Sequence, residues 1–163
     1  MIADLFAHME WADARVWRAV IDANAFGDQT VREKLHHIHL TQRAFHIIWT
    51  GGKLDLPFTP FADAAETIAW ARSTYELLHA FIANPDEAAS ERVIVFPWAA
   101  MLTEQFGREP APVTLPETFI QLPSHSTYHR GQVNMRLREL GNVPPLVDYI
   151  AWLWLGRPSP EWP

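Results

Sequence analysis

Apolar residues return at three- and four-residue steps over most of this chain, and a repeat near 3.6 residues buries one continuous stripe only on a helix. The stripe comes in separate stretches, each with its own start or stop signal. Ile2, Leu5, Phe6, Met9, Val16 and Val20 share a face over about residues 2–23, and Gly27 follows as a stop. Thr30 with Glu33 reads as a capping box for a second stretch, in which Val31, Leu35, Ile38, Phe45 and Trp49 share a face until Gly51-Gly52. Asp63 with Glu66 opens a third, carrying Ile68, Ala71, Tyr75, Leu78 and Ile82 to a stop at Asn84-Pro85. Thr114 with Glu117, and Pro116 in the first turn, opens a fourth that runs through Phe119, Leu122, Val133, Leu137 and Leu140 to Gly141.

The expected fold is therefore all-α, a four-helix bundle. Residues 86–113 make a connection between helices three and four that is long for a bundle, so it should cross the bundle or cover a site. Within it Val93-Ile94-Val95-Phe96 reads as a short strand. After Gly141, Val143-Pro144-Pro145 forces an extended turn, and Asp148 to Leu155 reads as a short aromatic helix packing over one bundle end. The 163 residues show no repeat, low-complexity tract or linker, so residues 1–163 are expected to form a single domain. The eight tryptophans suit core and interface, and any that remain exposed would suit a homodimer surface.

A formal charge of −6, from 19 acidic against 13 basic residues, offers no footprint for phosphate backbones, so nucleic acid is not an expected partner. Nor is a membrane, because the longest uncharged apolar run, Val93 to Leu102, is about half a span and contains Pro97. Met1-Ile2-Ala3-Asp4 lacks a basic start followed by an apolar core, so no signal peptide is visible and a cytoplasmic protein is expected. The absence of cysteine excludes disulfides, thiolate nucleophiles and sulfur-ligated metal sites together. Any metal must sit on His, Asp or Glu, and five of the 8 histidines fall in two short clusters.

In helix four, His125 and His129 project one turn apart from one face, on the flank of the stripe beside Leu122, Val133 and Leu140. An inward-leaning pair is what a metal site inside a bundle needs. The zinc-protease pattern requires Glu directly after the first histidine, and Ser126-Thr127-Tyr128 intervenes here instead. A third ligand must come from elsewhere. Helix two carries His36, His37 and His39, with His46 two turns later, and its wheel does not choose among them. His37 lies near Ala44 and Ile48, His36 near Leu40 and Ile47, and His39 near the opposite edge of the stripe.

His125-Ser126-Thr127-Tyr128-His129-Arg130-Gly131-Gln132, followed by Leu137, Gly141, Pro144-Pro145, Asp148-Tyr149 and Trp152, resembles the C-terminal signature of the DinB/YfiT-like metalloenzyme family. Leu35-His36-His37-Ile38, with an aromatic eight positions after His37, resembles that family's first ligand segment, and Trp11 agrees as well. The resemblance implies a four-helix bundle holding a divalent metal, commonly zinc or nickel, on one histidine of the second helix and two of the fourth. On matching positions these are His37, His125 and His129. His36 and His39 would then be surface residues or supports to the ligands, and His8, His46 and His79 structural. The chain departs from the pattern at Gln42, where relatives often have an acid five positions after the first ligand, and at Pro123, which should kink helix four just before His125.

Three neutral histidines with open positions describe a catalytic rather than a closed structural site. Such an ion can lower the pKa of bound water toward ~7 or stabilise a thiolate or carbonyl oxygen. With no protein thiol, any sulfur nucleophile would arrive on a small cosubstrate, and the resemblance implies transferases and isomerases that use low-molecular-weight thiols. Tyr128, Arg130 and Gln132 are candidates to orient a ligand or substrate, Tyr128 being better suited to packing. The expected activity is that of a metal-dependent hydrolase or thiol-dependent transferase acting on a small electrophile. The competing expectation is a non-enzymatic helical dimer that binds metal or a hydrophobic ligand.

Overall fold

The computed structural model describes residues 1–84, 86 and 90–163. Its long helices are α1 (Ile2–Asp22), α2 (Gln29–Trp49), α3 (Ala64–Ala83) and α6 (Gln121–Glu139). Between α3 and α6 lie β1 (Val93–Ile94), a 3-10 turn (Ala99–Leu102), α4 (Thr103–Phe106), β2 (Val113–Thr114) and α5 (Leu115–Phe119). A short α7 (Tyr149–Trp154) follows α6. This is the all-α bundle that the helical period predicts, with its long connection before the fourth long helix and its short C-terminal helix.

Cross-helix aromatic contacts give the helix directions. Trp49, ending α2, stacks on Phe81 near the end of α3, and His36, early in α2, stacks on Trp70 early in α3, each at 5.5 Å between ring centroids. These two helices therefore run parallel. Phe6 at the start of α1 meets Trp49, and Asp28 just before α2 pairs with Arg136 late in α6, so α1 and α6 run the opposite way. Parallel neighbours cannot be joined by a tight turn, and residues 50–63 accordingly return along the bundle. The connection before α6 joins antiparallel helices, and its described part packs Ile94, Phe96 and Trp98 onto the apolar cluster at one end of the bundle. Its strands pair antiparallel over two residues each, Val93 with Thr114 and Ile94 with Val113, which is half the strand expected. Pro97 has no amide to extend the ladder, and Phe96 and Trp98 turn instead onto Phe45.

The helix ends show which local signals won. α2 starts two residues before the expected box: Asp28 Oδ1 accepts the Val31 amide at 3.1 Å, leaving Thr30 and Glu33 inside the helix. Asp28 prevails because it also takes a two-pronged ion pair from Arg136, at 3.2 and 2.8 Å, that no threonine could accept. Asp63 caps α3 as expected, through the Ala65 amide at 2.7 Å. Asn84 follows α3, and Pro85, the other half of the expected stop, lies outside the described residues. Gly141, at φ +82°, ends α6, with its amide on Arg138 O and that of Asn142 on Leu137 O, a paired closure that only a left-handed residue allows. The Thr114–Glu117 box forms, but the helix it opens stops after Phe119. Pro123 cannot donate to the Phe119 carbonyl, so the chain breaks at Ile120 and restarts as α6.

Two apolar clusters fill the bundle ends. One gathers Phe6, Met9, Trp49, Phe81, Phe119 and Leu122, the other Val16, Trp17, Val20, Leu35, Val133 and Leu137. Leu140, expected on the stripe, is 40% exposed because it is the residue that caps α6. Trp11, Trp17, Trp49 and Trp152 are core, whereas Trp154 is 79% exposed. α7 packs Trp152 against Trp11 and Ala12 of α1.

Candidate metal centre

α2 and α6 make the most extensive helix pairing of the bundle, and the chemistry sits on their seam. Residues follow one another by about 100° around a helix, so the clustered histidines of α2 must diverge. His36 turns toward α3, buried between Phe61 and Trp70. His39 turns to the bundle axis, where it is fully buried. Neither is a surface residue. His37 alone faces α6, and its Nε2 lies 3.1 Å from Nε2 of His125. The three rings of His37, His125 and His129 form a triangle with centroid separations of 4.9, 4.5 and 4.4 Å. One ligand atom from each lies within 4.8 Å of the others, so the three could hold a metal ion, and no other such group occurs among the described residues.

The donor set fits a borderline divalent ion. Two nitrogens at 2.0–2.1 Å from one tetrahedral zinc are about 3.3 Å apart, close to the 3.1 Å seen between His37 and His125. Burial, reinforced by the two neighbouring imidazoles, pushes His125 down from 6.5 to about 4. Burial and then His129 likewise lower His37. Both are therefore neutral near pH 7, the form that ligates. His129 Nδ1 contacts Gln132 Oε1 at 2.7 Å, and because that oxygen only accepts, the proton sits on Nδ1 and the lone pair on Nε2. Gln132, a sequence candidate, thus orients a ring. His37 is exposed and the other two half-buried, so one side of the triangle stays open.

The other two candidates are placed differently. Tyr128 is 65% exposed and rests edge-on against His129 at 4.9 Å. Arg130 points away from the histidines into the core, where it and Asp13, each 2% exposed, form an ion pair at 2.7 Å. Around that pair runs a buried polar layer with members on four helices. Trp17 Nε1 donates to His39 Nε2 at 2.8 Å, which leaves the proton on Nδ1 to donate to Gln42 Oε1 at 2.9 Å. Gln42 Nε2 reaches Asp13, Tyr75 and Ser126 at 2.9, 2.9 and 3.0 Å, and the Tyr75 hydroxyl donates to Asp13. Burial raises the Asp13 pKa, but the charge of Arg130 and the surrounding hydrogen bonds outweigh it and hold the carboxyl below its usual range.

The layer ties α1, α2, α3 and α6 together between the two apolar clusters, and so sets the rotation of α2 against α6 on which the triangle depends. Gln42, at the departure from the family pattern, is its hub and touches none of the three histidines. One signal was available in the sequence: Asp13 stands on the apolar stripe of α1 between Met9 and Val16, where an unpaired acid would be costly.

Fold and site together define a helical bundle with a three-histidine group able to hold a metal ion. The DinB family model matches residues 3–160, nearly the whole chain, and the chain belongs to the DinB family. No curated protein and no solved structure matches it.

Proposed function

We propose that this protein is a metal-dependent enzyme in which His37, His125 and His129 hold one divalent transition ion, zinc or nickel, and a small electrophilic molecule is hydrolysed or transferred to a low-molecular-weight thiol. The observation that carries the reading is the open triangle of three imidazoles, in which burial holds His37 and His125 below 6.5 and so in the neutral form near pH 7. A bound ion supplies Lewis-acid polarisation of an oxygen or stabilisation of a thiolate. The chain's own residues supply the geometry. Gln132 fixes the tautomer of His129, and the Asp13–Arg130 layer fixes the facing helices. The exposed edge of His37 leaves the approach from solvent free. Because the chain has no cysteine, a sulfur nucleophile has to enter with the cosubstrate.

The test is elemental analysis of tag-free protein purified without added metal or chelator. About one transition-metal ion per chain is expected, lost in His125→Ala, followed by turnover of electrophiles with thiol cosubstrates. Protein that is metal-free and fails to take up zinc or nickel on titration overturns the reading. Stoichiometric metal with no turnover of any thiol and electrophile pair would favour a metal-binding module instead.

A further inference from the structure

Next to the histidines, α2, the start of α6, the 50–63 loop and the connection before α5 bound a cavity of about 390 Å³ that is open to solvent on one side. His37 and His125 form part of its wall, so whatever fills it lies against two of the three nitrogen donors. The rest of the wall is mostly apolar, with Leu40, Ala44 and Phe45 from α2, Leu54 and Leu56 from the loop, and Trp98. Thr41 and Gln121 add neutral polar groups, and no Lys, Arg, Asp or Glu lines the space.

The volume lies within the ~300–1,000 Å³ of small-molecule pockets and well above the ~150 Å³ that accommodates one benzene. A charged group buried against this wall would find no partner and would forfeit its hydration. An apolar group gains in proportion to the area it removes from water. Phe45, Trp98 and Gln121 also line an adjoining, largely apolar cavity of about 500 Å³.

Building on the metal reading above, we propose that this cavity takes an uncharged, apolar part of the substrate or cosubstrate, a ring or short branched chain, joined to the atom that reaches the site between His37 and His125. The polar or charged remainder of a thiol or electrophile then stays outside, on the open side of His37. The 50–63 loop, which carries none of the three histidines, becomes the element that sets substrate class.

The experiment uses the full chain loaded with cobalt(II), whose spectrum is recorded before any ligand is added. Phenylmethanethiol, 2-mercaptoethanol and mercaptosuccinate are then titrated, with sulfur-to-cobalt charge-transfer absorption as the readout. Phenylmethanethiol should bind on the order of 30-fold more tightly than 2-mercaptoethanol, with mercaptosuccinate the weakest. Ala44→Trp fills the cavity and should cut that advantage to less than ~3-fold with cobalt uptake as in the parent chain. Leu54→Glu, on the loop wall, should act the same way and stands in if the tryptophan variant does not fold. Equal affinities for the three thiols, or an advantage that survives in the folded variants, overturns the inference while leaving the metal reading intact. Failure to take up cobalt at all overturns the metal reading, and this inference with it.

Discussion

Two side chains show how much of the site rests on residues that would never touch an ion. Gln132 holds His129 in the tautomer that presents Nε2. Gln132→Ala should leave the helical spectrum unchanged and weaken zinc binding ~10–100-fold in competition with a chromophoric chelator. Unchanged affinity would show that the contact does not orient the ring. Asp13 is the counterpart in the core. Removing it strands the Arg130 guanidinium, so Asp13→Ala should cost ~3–5 kcal/mol in urea unfolding. Replacing both partners, as Asp13→Leu with Arg130→Met, should recover most of that loss, because no buried charge is left unpaired. If the double variant is as unstable as the single, the pair contributes more than mutual neutralisation.

At the scale of elements, helix ends do two jobs. Asp28 caps α2 and also clamps the far end of α6 through Arg136, which links the ligand helices at the end away from Pro123. Asp28→Ala should therefore cost ~1–2 kcal/mol, toward the upper end of the range for lost caps, and lower the thermal midpoint. A loss within a few tenths of a kcal/mol would show that neither function matters in water. Pro123 acts on the other end of α6. By breaking the fourth helix at Ile120 it lets Phe119 turn into the cluster with Phe6 and Trp49 while His125 and His129 keep their own angle toward α2. The sequence showed the break but not its position, because a proline disrupts the bond to a carbonyl four residues earlier rather than at its own place.

The molecule as a whole should be acid-sensitive for a reason its histidines supply. Burial is the leading cause that lowers the pKa of His8, His36, His37, His39, His46 and His125 below 6.5, the last to about 4. Between those values the unfolded chain binds more protons than the folded one, so stability rises with pH across the window and falls on acidification through it. Asp13 and Asp28, held below their usual 3.8, and Glu117, held below 4.5, contribute stability that starts to be lost only below about pH 5, so the loss between pH 6.5 and about 5 belongs to the imidazoles. Urea midpoints of metal-free protein should drop steadily over this range, and a pH-independent midpoint would contradict the burial. Among the described residues, no helix is long and apolar enough to cross a membrane.

The four long helices, most of the buried positions and the pairing of His125 with His129 are written locally, because a period of 3.6 and a four-residue spacing are settled within single helices. Val31, Leu35, Ile38, Phe45 and Trp49 are buried as their spacing requires. The third histidine is another matter. His36, His37 and His39 differ by only one to three positions, and the resemblance to the DinB family, not the wheel, singled out His37. The tertiary structure supplies the reason: packing rotates α2 so that His36 meets α3, His39 meets Trp17 and His37 meets His125. The polar layer and the cavity were likewise beyond local reading. Asp13 meets Arg130 across 117 positions, and the wall beside His37 is completed by a loop whose path is set by two parallel helices. Spacing along one helix fixes what one face presents; what that face meets is a property of how several helices pack.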